Sequence, residues 1–155
     1  MRALMVAALA LAAAGAEAGP AYLDDRSTPE AVIHSLYNAV TLHDYPRAWS
    51  YFDEGSRPDY ELFAAGYSDT ERVRVKTGVP REEGAAGTTW WAVPTVIEAE
   101  RRDGSRAVFA GCYVLNKADP HLIDEPPYDP IAIVRGRLRP VAVPFARARG
   151  DCSGM

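Results

Sequence analysis

No stretch of this chain carries a recognisable catalytic or metal-binding signature. No serine stands in a Gly-x-Ser-x-Gly setting, and Ser50, Ser56 and Ser68 lack any placed partner, so the strand–turn–helix nucleophile of many hydrolases is not encoded. Cysteine is scarce. Cys112 and Cys152 are the only two, 40 positions apart, with no Cys-x-x-Cys spacing, which argues against a dithiol redox motif or a zinc ribbon. Basic residues (17, against 21 acidic) are spread along the chain, with no block of the kind that binds nucleic acid. No second long apolar run follows the N-terminal one, so no membrane span is expected. Internal repeats and low-complexity segments are also missing from the rest of the chain.

The first eighteen residues are informative. Met1-Arg2 precedes an apolar run from Ala3 to Ala14, followed by Gly15 and Ala16-Glu17-Ala18. A positive start, a compact hydrophobic stretch and a small-x-small ending are the parts of a secretory signal peptide. The expectation is removal after Ala18 and a periplasmic or secreted protein. Removing 18 of 155 residues leaves 137, enough for one domain with a real core, and the formal charge stays at −4 because Arg2 and Glu17 leave together. Neither cysteine is near the cleavage site, so lipid attachment to a new N-terminal cysteine is excluded. In an oxidising compartment the pair is expected to form a disulfide, Cys112–Cys152, stabilising the fold by roughly 4 kcal/mol. No cofactor is expected, since export separates the chain from cytosolic nucleotides.

The remaining pattern predicts an α+β domain over residues 19–143 and an irregular tail, 144–155, tied down by the disulfide. Residues 19–26 read as a flexible lead. Ser27-Thr28-Pro29-Glu30 opens a helix, with Val32, Ile33, Leu36, Tyr37 and Val40 on one apolar face and an end near His43. Asp44 and Pro46 start a second short helix, and Tyr60, Leu62 and Phe63 fit a third, closed by Gly66. From Glu71 the period becomes two: Arg72, Arg74 and Lys76 alternate with Val73, Val75 and Thr77. Residues 78–87 read as a loop. Strands are then predicted over 89–101, 106–116 and 131–141, the first two joined by the hairpin signal Asp103-Gly104. Pro94 suggests a bulge or an edge, and Gly111 a bulge or sharp bend. Helices followed by an antiparallel meander require the sheet to curl over the helices.

These residues carry a resemblance. Tyr45-Pro-Arg-Ala-Trp-Ser-Tyr-Phe resembles the early helices of small exported bacterial domains of the nuclear transport factor two-like superfamily. Leu62–Thr70 leading into Val73 and Val75 is similar to their third helix and first strand. Phe109–Leu115 and Ile131–Leu138 resemble two later strands. The resemblance spans roughly residues 28 to 140. It implies a cone of bent sheet on a long helix with an apolar pocket inside, a fold that serves isomerases, hydrolases and pure binding modules alike. No aspartate general base or tyrosine–aspartate oxyanion pair of the enzymatic members matches a position here, so no catalytic residue carries over.

Candidate site residues follow from chemistry. Tyr37, Trp49, Tyr67, Trp90, Trp91 and Tyr113 either line a pocket for a ring-bearing ligand or fill the core. Trp90 and Trp91 are adjacent in a strand and must face opposite ways. His34 and His43 are nine apart, about 180° out of phase on a helix, and cannot share a metal from one face. His121 lies in a proline- and aspartate-rich loop whose spacing fits no known calcium or zinc loop, so no metal is expected. Asp53, Asp59 or His34 would support catalysis if buried in the pocket beside a tyrosine hydroxyl. Arg72, Arg74 and Lys76, and Arg135, Arg137 and Arg139, form two basic stripes. They serve as an anion-attracting patch if their strands lie close, or as edge protection. The functional expectation is an exported non-catalytic binding or accessory domain for a small apolar ligand, an envelope component or a partner protein, including a second copy paired through the sheet. The alternative is a small pocket enzyme of the steroid-isomerase or polyketide-cyclase type.

Overall fold

The computed structural model describes residues 19–155; the signal-peptide expectation for residues 1–18 lies outside the described residues. A central helix, α1 (Pro29–Thr41), begins where Thr28 accepts a hydrogen bond from the Ala31 amide (3.1 Å) and Pro29 occupies the first turn. Its apolar positions Val32, Ile33, Leu36, Tyr37 and Val40 are all buried. Asp44 caps α2 (Tyr45–Trp49), its carboxylate also accepting from Arg47 Nε at 2.8 Å. A single 3₁₀ turn at Glu54–Ser56 leads to α3 (Tyr60–Gly66), which Asp59 caps and which buries no residue fully. Phe63 of α3 is instead wedged edge-on between Phe52 and Tyr67.

Five antiparallel strands follow: β1 (Thr70–Thr77), β2 (Arg81–Ala85), β3 (Thr88–Arg101), β4 (Arg106–Ala118) and β5 (Ala132–Val141), in the order β1-β3-β4-β5 with β2 also on β3. Residues 78–87 are therefore not simply a loop. Thr77 lies opposite Thr95 and Arg81 opposite Ala92, so β1 and β2 run along the same side of β3 with one extra residue between them. The two-residue turn Ala86-Gly87, both with positive φ, returns the chain into β3. Charge and glycine concealed this strand because all of its residues are exposed and no alternation marks it. Pro94 sits where β1 has ended and β2 has not begun, and its carbonyl accepts from the Gly78 amide at 2.7 Å. Proline is tolerated there because β3 is locally an edge.

Gly111 is a correction of another kind. The β4–β5 register runs unbroken through Gly111, opposite Leu138, and the irregularity falls between Val114 and Leu115. Glycine is needed at 111 for close approach: a Cβ there would strike the Arg137 carbonyl oxygen.

The inner sheet face, carrying Val73, Val93, Ile97, Tyr113, Leu115 and Ile133, packs with α1 in one core. The opposite face is crossed by residues 144–155. Cys112 and Cys152 are disulfide-bonded, Ala148 is buried, and the Asp151 amide donates to the Gly111 carbonyl. The lead before α1 is docked rather than free. Ser35, fully buried, exchanges hydrogen bonds with the backbone of Asp25, and the Tyr51 hydroxyl donates to Asp24 at 2.7 Å. Among the described residues no helix is long and apolar enough to cross a membrane.

Candidate functional site

Three of the six aromatic candidates meet in one cavity. Tyr37 projects from the buried face of α1, Tyr113 from the inner face of β4, and Tyr67 from the end of α3. All three line a space of about 470 Å³ beneath α3. The Tyr37 and Tyr113 hydroxyls are 2.6 Å apart and their rings meet edge to face. The Tyr67 hydroxyl interacts with that of Tyr37, and its backbone carbonyl is held by the Tyr45 hydroxyl at 3.2 Å. Gly136 of β5 faces Tyr113 across the strand pair, and a Cβ there would collide with the phenol ring. The walls are apolar, among them Phe63, Ile97, Phe109 and Leu138. At the rim stand Asp69 and Arg101, with Arg101 Nε 3.8 Å from an Asp69 carboxylate oxygen.

Burial pushes the acidity of all three phenols down: Tyr37 and Tyr113 are held well above the ordinary pKa of a tyrosine, and Tyr67 is raised too. A phenolate beside two other phenols adds charge repulsion for Tyr37. At neutral pH the cluster therefore carries three O–H hydrogens. The Tyr37–Tyr113 contact engages one of that pair's two hydroxyl hydrogens and leaves the other for a further acceptor. The pair lies against apolar cavity walls, where an O–H donor gains from any acceptor that reaches it.

The other candidates lie elsewhere. Trp49 is fixed outside the cavity, its Nε1 donating to the Pro58 carbonyl at 2.7 Å with Arg57 over its ring. Trp91 is on the inner sheet face, donating to Glu82 at 2.8 Å and lining a separate, shallower space of about 700 Å³ with Lys117, Asp119 and His121. Trp90, its neighbour, faces the opposite side. His34 is half-buried on α1, and burial lowers its pKa against the opposing charge of Glu30. His43 Nε2 is 3.0 Å from the Thr70 carbonyl. Asp53 and Asp59 are spent on capping backbone amides and do not line the tyrosine cavity.

No family model matches this chain, and no curated protein is significantly similar to it.

Among the described residues no three histidine, cysteine or carboxylate side chains converge as a metal site would require. The cavity is thus a hydrogen-bond donor site with apolar walls and one charged pair at its mouth. Sequence reasoning missed Phe109, Leu138, Asp69 and Arg101. A usable signal existed in Arg135-Gly136-Arg137, where a glycine alternates with charge on a strand and marks an inward position kept clear for a ring.

The two basic stripes share the outer sheet face but not one place on it. β1 and β5 are separated by β3 and β4. On β1, Arg72 pairs with Glu100 at 3.0 Å and Arg74 with Glu98 at 3.2 Å, so much of that stripe is neutralised.

Proposed function

We propose that this chain is an exported binding domain whose ligand site is the tyrosine-floored cavity. The ligand it suits is a flat apolar molecule bearing a hydrogen-bond-accepting oxygen such as a ketone. The supporting observation is the buried Tyr37–Tyr113 hydroxyl pair with Tyr67 beside it, which holds a surplus O–H donor at the base of apolar walls. The cavity volume falls within the range of small-molecule sites. The bond between the cysteines is compatible with an oxidising compartment. Membership of the nuclear transport factor two-like superfamily is part of the same proposal, resting on the order of helices and antiparallel strands.

The pocket-enzyme reading draws on the same phenols, since neutral donors stabilise a developing oxyanion. It also needs a base in the cavity. Among the described residues Asp69 is the one carboxylate lining it, and that group is exposed and ion-paired with Arg101. The binding reading is preferred on that ground.

The test compares 2-acetylnaphthalene with 2-ethylnaphthalene, near-isosteres that differ in the acceptor oxygen. Calorimetric titration of the disulfide-bonded chain should show the ketone binding about 10-fold tighter, the worth of one buried hydrogen bond. The preference should disappear in Tyr37→Phe and Tyr113→Phe. Equal binding of the two compounds, or a preference that survives both substitutions, overturns the proposal.

A further inference from the structure

A second feature lies on the opposite face of the sheet. Arg135, Arg137 and Arg139 occupy alternate positions of edge strand β5, about 7 Å apart along the chain, the rise of two strand residues. Their neighbours across the pairing are Val114, Cys112 and Ala110, so no carboxylate faces them from β4. This contrasts with β1, where Glu98 and Glu100 answer two of the three cations. All three β5 arginines are exposed, and among the described residues none forms an ion pair.

The tail supplies the other wall. Arg137 and Arg139 line a cleft of about 410 Å³ together with Arg149, which the disulfide-anchored segment carries across the sheet. Arg149 donates to the carbonyls of Ala146, Arg147 and Ala148, and its charge is felt by Lys76, whose amine is bound to the Ala146 carbonyl at 3.1 Å. The tail arginine therefore bridges the space between the two stripes. Among the described residues the one acidic side chain lining the cleft, Asp151, is engaged by the amide and hydroxyl of Ser153. Edge protection explains charge on a strand; it does not require a further arginine on a separate segment facing the first two across a cleft.

We propose that this cleft binds a linear polyanion, with successive anionic groups meeting Arg137 and Arg139 on one side and Arg149 on the other, and the polymer continuing beyond the cleft along β5 to Arg135. The net negative charge of the chain makes the attraction local, so partner recognition depends on these groups and not on the overall field. The occupant is a flexible polymer with repeating oxyanions, because the cations are arranged in a row and not around a point.

The experiment uses the disulfide-bonded chain and fluorescently labelled linear polyphosphate of a few tens of units, followed by anisotropy. Saturable binding is expected at low salt, weakening on a log–log plot with a slope of about −3 as four charges release counterions. The double variant Arg137→Gln/Arg139→Gln should lose on the order of 10-fold or more in affinity with an unchanged melting temperature. Arg72→Gln/Arg74→Gln, whose charges are already matched by Glu100 and Glu98, should bind nearly as the parent does. Absence of binding at low salt, or equal loss in the two double variants, overturns the proposal. So does competition by orthophosphate as strong as by polyphosphate at equal phosphate concentration, which would indicate a point-anion site. Stronger binding to anionic lipid vesicles than to the polymer likewise overturns it.

Discussion

Raising the pH from 9 to 11 should destabilise this protein far more steeply than loss of ordinary surface charge would. Tyr37, Tyr67 and Tyr113 have their pKa values raised in the folded state, chiefly by burial. In the unfolded chain they titrate near 10. A group whose folded pKa is raised contributes stability that is fully present below the unfolded value and is lost as pH climbs toward the folded one. Above pH 10 each protected phenol therefore costs about 1.4 kcal/mol per pH unit. Tyr37 and Tyr113, the two raised furthest, together remove about 3 kcal/mol by pH 11, and Tyr67 adds to the loss, a large share of the 5–15 kcal/mol typical of a domain. Tyr51, also raised by burial and then by its bond to Asp24, adds to the loss. Lys76 and Lys117 are the only lysines, so amine deprotonation contributes little in this range. The assay is urea unfolding by circular dichroism at half-unit steps from pH 9 to 11.5, paired with phenolate absorbance at 295 nm. Tyr113→Phe should lower stability at pH 8 by about 1 kcal/mol through loss of its hydrogen bond, yet flatten the alkaline slope by about 1.4 kcal/mol per unit. A parent slope no larger than one tyrosine's worth, or an unchanged slope in Tyr113→Phe, would refute the buried, fully protonated cluster.

Two other outcomes follow from the same geometry. Replacing both cysteines with serine opens a 40-residue loop and should cost about 4 kcal/mol, lowering the melting temperature by more than about 10 °C; a shift of only a few degrees would mean the tail is held by its other contacts. Gly136→Ala drives a methyl group into the Tyr113 ring and should cost about 1–3 kcal/mol while weakening the naphthyl ketone about 10-fold; wild-type affinity in this variant would show that the ring position does not matter to the site.

The helices were legible from their opening residues: Asp44 caps α2 as expected, while α1 is capped by Thr28 one residue after the expected Ser27, and Asp59 caps α3, a role its place near a helix end did not specify. The long strands were legible from period two and the Asp103-Gly104 turn. β2 was not, since an exposed edge strand needs no apolar face and Arg-Glu-Glu-Gly-Ala offers none. The disulfide followed from counting cysteines, but the crossing of the tail over Gly111 did not, because a backbone passing over a backbone leaves no side-chain pattern. Tyr37, Tyr67 and Tyr113 were visible as aromatics. Their convergence depends on contacts between residues as much as 76 positions apart, which no local window contains.

The position of Cys112 bears on the order in which the molecule matures. The sheet is a succession of neighbouring hairpins, whose contacts are close in sequence and form early. The tail's attachments join residue 76 to 146, 111 to 151 and 112 to 152, so they wait for a sheet on which to land. Cys112 is completely covered once they are made. An oxidant or exchange catalyst must reach its thiol while the tail is still off the sheet, and afterwards neither reductant nor isomerase has access to that sulfur. The bond is therefore written late and, for as long as the tail stays docked, is open to exchange only through the partly exposed Cys152.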